Sequence, residues 1–255
     1  MHVSAAANFW WAACFLSTLA VFVVLIGRGR RQEFAVLTLW FGFVDLRTIL
    51  LFLLYRAHWT TAYRDVYYVG LVLEFALQLG VALEIARILL RPTGTWVQDA
   101  RVRFAIAGAV GAVVAGLLAW WVSPPESTVT RVWMDRGNLF TSLVICELFV
   151  VMSLTANRLG LGWRNHVMAV GQGLTGWTSI MVVTTALQSL LGNQHFYADL
   201  DYVRDLAYFG ATIWIALQLW IPEPARQPIS ADLQEYILAL HRRVEYDLRR
   251  LDAPR

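Results

Sequence analysis

The most unusual residues of this chain are four ionisable ones deep inside apolar stretches: Asp45 and Arg47 in one, Glu74 in the next, and Glu147 in a third. In the hydrocarbon of a bilayer such groups are costly unless paired or hydrated, so each needs a partner, a proton or a function. Counted at about 1.5 Å per helical residue, all four fall roughly 12–15 Å below the same membrane face. Asp45 and Arg47 lie about 200° apart around one helix and cannot face each other. Helical side chains lean toward the N-terminus, which aims Arg47 deeper rather than back toward water. Its partner must come from another helix, and Glu74 or Glu147 is the expected one. Three carboxylates around one guanidinium leave an excess of two negative charges if all ionise. Protons, a cation, a water cavity or a cationic ligand must offset that excess; otherwise the acids serve only to fix helix register.

Other polar stripes point toward the same level. Tyr67, Glu74 and Gln78 share one helical face, as do Asp205, Tyr208 and Thr212, with Arg204 beside them. Gln172, Thr175 and Ser179 form a third stripe, with Trp177 and Trp214 as candidate aromatic walls. The expected ligand or ion site therefore draws on Asp45, Arg47, Glu74, Glu147, Tyr67, Gln78, Arg204, Asp205, Tyr208 and Thr212. Interhelical hydrogen bonding is the structural alternative for any of the hydroxyls. Glu84, within i+3 reach of Arg87, is expected to form a structural pair at a rim.

The elements that must position these residues are seven apolar stretches, near 9–27, 34–55, 66–90, 104–122, 138–157, 165–191 and 202–221. Each approaches the ~20 residues an α-helix needs to span the hydrocarbon core. With a mean hydropathy of +0.53 and 15% charged residues, a water-soluble fold would have no use for so much apolar surface. The expected fold is all-α: a polytopic bundle of seven transmembrane helices over 1–224, then a cytoplasmic tail over 225–255 carrying an amphipathic helix.

Arginines set the orientation. Arg28, Arg30, Arg31, Arg87, Arg91, Arg101, Arg103, Arg158 and Arg164 lie at or beyond the ends of stretches one, three and five, whereas arginines on the other side are diluted by acids. The positive-inside rule then puts the N-terminus outside and the C-terminus in the cytoplasm, with an inner membrane as the location. The first stretch lacks a preceding basic region, so it is expected to be a retained helix rather than a signal peptide. Tryptophans near the ends, such as Trp11, Trp59, Trp120, Trp133 and Trp220, fit aromatic belts. All seven prolines lie outside the stretches, which argues against the broken helices of many transporters.

Several chemistries lack their residues. All 21 basic residues are arginine, so there is no lysine to carry a Schiff base. Of the histidines only His166 touches an apolar stretch, which leaves bis-histidine haem and multi-histidine zinc sites unsupported. The string Gly171, Gly173, Gly176 has G-x-G-x-x-G spacing but no preceding strand, and is expected to serve helix packing. No cofactor, no metal, no nucleic acid and no enzymatic activity is expected.

The expected partners are the bilayer, a second copy through the ridge Gly108, Ala112, Gly116, and a cytoplasmic protein through the tail helix 230–252. For the ridge, packing within the bundle is the first reading and the homodimer seam the second. Leu233, Ile237, Leu240, Val244, Leu248 and Leu251 give the tail its apolar stripe. The seven-span plan resembles that of seven-helix receptors and bacterial seven-span sensor inputs in topology alone, with no motif behind it. The expected role is a receptor-like sensor or accessory subunit with a polar site in the outer half. A proton or small-cation transporter or channel is the alternative, and a structural assembly subunit the second alternative.

Overall fold

The protein is described from a computed structural model, which covers residues 5–90, 97–122, 129–158, 166–191 and 197–222. Among these, the chain is all-helical: α1 (Ala5–Gly27), α2 (Ala35–Arg56), α3 (Thr60–Leu90), α4 (Val97–Trp121), α5 (Val129–Arg158), α6 (His166–Leu191) and α7 (Tyr197–Trp220). The expected tail helix 230–252 lies outside the described residues.

The connections have local causes. After α1, Gly29 at φ 68° takes a left-handed conformation that an L side chain would resist, and a single 3₁₀ turn at Arg30–Gln32 leads into α2. His58 at φ 57° makes the corresponding reversal between α2 and α3. The first amides of α2 have no partners within their own helix. Glu84 of α3 supplies them: its two carboxylate oxygens accept from Val36 N–H at 2.8 Å and Leu37 N–H at 3.0 Å. Glu84 therefore caps a neighbouring helix instead of forming the expected i+3 pair with Arg87.

α1 packs between α2 and α7, α2 against α3, α3 against α5 and α6, α5 against α6, and α6 against α7. α4 packs mainly on α5. The core is apolar and aromatic, with Leu25, Phe34, Leu37, Trp40, Phe41, Val170, Ile215 and Leu219 almost fully enclosed. Polar side chains are buried among them, including Thr18, Asp45, Glu74, Gln78, Thr178 and Thr212. The outer faces carry Leu39, Leu46 and Leu53 of α2, Val69 and Val72 of α3, and Val110, Val113 and Leu117 of α4. Polar groups inside and aliphatic groups outside suit helices solvated by lipid.

Five helices, α1, α2, α3, α5 and α6, are long and apolar enough to cross a membrane. The apolar part of α4, Ala105–Trp121, is shorter. α7 begins with Asp199, Asp201, Arg204 and Asp205, which confine its apolar character to its second half.

The small-residue ridge of α4 is turned toward α5. A Cβ on Gly108 would meet Leu148 at 3.3 Å, and one on Gly116 would meet Phe140 at 4.0 Å. The most buried row on α4 is its neighbour, Gly111, Ala115 and Ala119. Gly171 and Gly173 of α6 likewise serve packing, against Phe149 and Ile215, while Gly176 faces open space.

Candidate polar site between α1, α2, α3 and α7

Arg47 and Glu74 form an ion pair across α2 and α3, with Nη1 2.5 Å from Oε2 and both side chains largely buried. Gln78, one turn below, donates through Nε2 to Glu74 Oε1 at 3.4 Å. Arg47 reaches Glu74 because Gly70 clears its path: a Cβ there would lie 2.5 Å from Arg47 Cδ. Gly70, Glu74 and Gln78 thus occupy one face of α3 at four-residue steps, the glycine as slot and the acid as anchor.

Asp45 looks the other way, as its angular separation from Arg47 requires. Its Oδ1 accepts from Thr18 Oγ1 of α1 at 2.5 Å, and Oδ2 is buried without a hydrogen-bond partner among the described residues. The two mid-helix charges of α2 therefore tie it to different neighbours, Asp45 to α1 and Arg47 to α3.

Beside the ion pair is a cavity of about 240 Å³. Arg47 and Glu74 line one side, Cys14 and Thr18 of α1 another, and Asp205 and Tyr208 of α7 a third, with Trp11 and Phe15 completing the wall. The Tyr208 hydroxyl is buried and unpartnered among the described residues. Its ring meets Trp177 edge-on with centroids 5.1 Å apart, and Trp177 stacks on Trp40 at 6.4 Å. An aromatic column therefore adjoins the polar cavity. Thr212, one turn beyond Tyr208, lies in the α1–α7 seam with Oγ1 2.8 Å from Ser17 Oγ.

The other expected residues are elsewhere. Glu147 points from α5 into α4, where a Cβ on Gly111 would coincide with its carboxyl group. It lines a separate cavity of about 300 Å³ whose other walls are Val110, Gly111, Val114, Ala115, Leu118 and Leu143. The expected grouping of Glu147 with Arg47 is corrected: rotation of α5 gives its acid to α4. Arg204 belongs to the α6–α7 seam. There it donates to Thr184 Oγ1 at 2.7 Å, Thr185 Oγ1 at 3.0 Å and Gln188 Oε1 at 2.5 Å, and pairs with Asp201 at 3.3 Å. Tyr67 is exposed and packs edge-on against Tyr68 at 5.5 Å. The Gln172, Thr175, Ser179 stripe is not at the cavity: Gln172 and Ser179 are exposed, and Ser179 approaches Cys146 of α5 at 3.4 Å. Trp214 is half exposed and donates to the Ala169 carbonyl at 3.2 Å.

Gly70 and Thr18 were not singled out by the sequence, and Trp11 only as a belt tryptophan. Gly70 alone had a readable signal, its position one turn before Glu74 on the Glu74–Gln78 face.

A site of this make-up offers a fixed charge pair, an open acid at Asp205 and, buried without hydrogen-bond partners among the described residues, Arg47 Nε and the Tyr208 hydroxyl. It can hold a small polar or cationic molecule, or ordered water, by hydrogen bonds and charge. Among the described residues no group of three His, Cys, Asp or Glu side chains is arranged to hold a metal ion. Comparison with protein-family models, curated proteins and solved structures finds no match.

Proposed function

We propose that the chain is a seven-span inner-membrane protein, N-terminus outside and tail cytoplasmic, acting as a receptor-like sensor or accessory subunit. The observation that carries this reading is the 240 Å³ cavity, a polar recess walled by Arg47, Glu74, Asp205 and Tyr208 inside helices whose outer faces are aliphatic. A small ligand seated there would touch α1, α2, α3 and α7 together and so bias their packing, which is the minimum a sensor requires. The orientation rests on the arginine distribution. Arg28 over Trp220 at 4.4 Å and Arg30 donating to the Ile221 carbonyl at 3.3 Å supply a basic, aromatic rim where α1 and α7 end. The role is non-enzymatic, and the tail helix 230–252 is the proposed route to a cytoplasmic partner.

Two experiments test the proposal. Cysteines introduced at 192–200 and in the tail should react from opposite sides of the membrane; reaction from one side sinks the topology. Purified protein in proteoliposomes should carry no proton or cation flux under pH and ion gradients. Robust flux without a partner rejects the sensor in favour of a transporter, for which the acids Glu74 and Asp205 at the cavity wall would be the candidate path.

A further inference from the structure

Glu147 takes no part in the site above. It sits mid-helix on α5, one of the five helices long and apolar enough to span a membrane. Its carboxyl lies in the slot left by Gly111, and every other residue lining that groove is apolar or glycine. No described residue hydrogen-bonds or ion-pairs with it. The outer lip of the groove is Val110, Val114 and Leu118, all exposed on the face of α4 that lipid would cover.

We propose that Glu147 is a proton-binding carboxyl of the α4–α5 groove, reached from the lipid side and independent of the Arg47–Glu74 pair. An unpaired carboxylate in hydrocarbon lacks both water and counter-charge, whereas the neutral acid gives up only hydrogen bonds. The charges on neighbouring helices are committed elsewhere. On α4 residues 105–121 carry no titratable group. On α3, Glu74 is held by Arg47. On α6, residues 167–191 carry none, and His166 stands at the helix start. On α5 itself, Cys146 contacts Thr178 at 3.2 Å, and Arg136, three turns away, lies over Trp120 at 4.8 Å. Gly111 is the permissive residue, since any side chain there would evict the carboxyl.

A hydrophobic carbodiimide tests this on the intact protein in lipid vesicles. The acid proton moves to one carbodiimide nitrogen and the carboxyl oxygen bonds to the central carbon. Acyl transfer to nitrogen then leaves a stable acylurea, with nothing released. Peptide mass spectrometry should find this adduct on Glu147, with labelling falling about ten-fold per pH unit once the acid titrates. Glu147→Gln should abolish the adduct on that peptide, while Glu74→Gln should leave it. A water-soluble carbodiimide with an added amine should mark Glu33 and Asp65, which are exposed, and spare Glu147. The proposal is overturned if the water-soluble reagent labels Glu147 as readily as Asp65, which would mean an aqueous groove. It is equally overturned if the hydrophobic reagent fails to label Glu147 at any pH, which would mean that the acid is covered or engaged by another group.

Discussion

The two sides of the molecule treat a mid-helix acid in opposite ways. Between α2 and α3, Glu74 has a guanidinium at 2.5 Å, an amide from Gln78 and a glycine slot that brings the cation in. Between α4 and α5, Glu147 has a glycine slot but only apolar company. The same residue type at a comparable depth is thus a staple in one place and a solitary acid in the other. Cost follows the partner, not the residue: breaking a buried pair strands a charge, whereas removing a lone acid strands nothing.

That contrast breaks most sharply at Arg47. Arg47→Leu should lower stability by about 3 kcal/mol, the low end for a broken buried pair because Glu74 can take up a proton. The costly form is a buried carboxylate left without its cation, so the loss should grow as pH rises. Thermal unfolding in detergent at acid and alkaline pH checks the sign. Arg47→Leu with Glu74→Leu should recover part of the loss, and no recovery would mean the two residues act separately.

Gly70→Ala should cost about 1–3 kcal/mol, since the new Cβ must displace the Arg47 stem. A neutral result, read from the unfolding midpoint, would show that Arg47 has a second route to Glu74. On the other side, Glu147→Leu should be neutral or stabilising by about 1 kcal/mol, because it removes a polar group that has no partner. A loss comparable to that of Arg47→Leu would erase the distinction between the two sides. The smallest effect is expected at Thr18→Val, about 0.6 kcal/mol for one interhelical hydrogen bond to Asp45. Asp45→Asn should lose no more than that, measured the same way.

The seven helices were legible because apolar runs report directly on them, but their starts were not, since Arg64, Arg101, Arg103, Arg131 and Arg136 lie inside α3, α4 and α5 rather than beyond their ends. The Arg47–Glu74 pair was half legible: depth and charge balance narrowed its partner to two acids, and the choice between them needed the rotation of α5. That rotation left little trace, because helices apolar on nearly all sides carry no periodic signal of which face turns inward. The α4 ridge Gly108, Ala112 and Gly116 does pack on α5, but the same blindness hid the more buried row beside it, Gly111, Ala115 and Ala119. Glu84 was read through its sequence neighbour Arg87, yet it serves amides 48 and 47 residues away. Local spacing shows which partners can meet within one helix and is silent about those another helix brings.

Thr212 meets Ser17 across 195 residues, which has a consequence for the order of events at the ribosome. At roughly 5–20 residues per second, α1 waits about 10–40 s before α7 exists. During that wait Ser17 keeps its proton on the Cys14 carbonyl at 2.8 Å, and Thr18 can lie on the Phe15 carbonyl at 2.9 Å. The first helix can therefore form with both hydroxyls already satisfied, before the last helix arrives to close the seam.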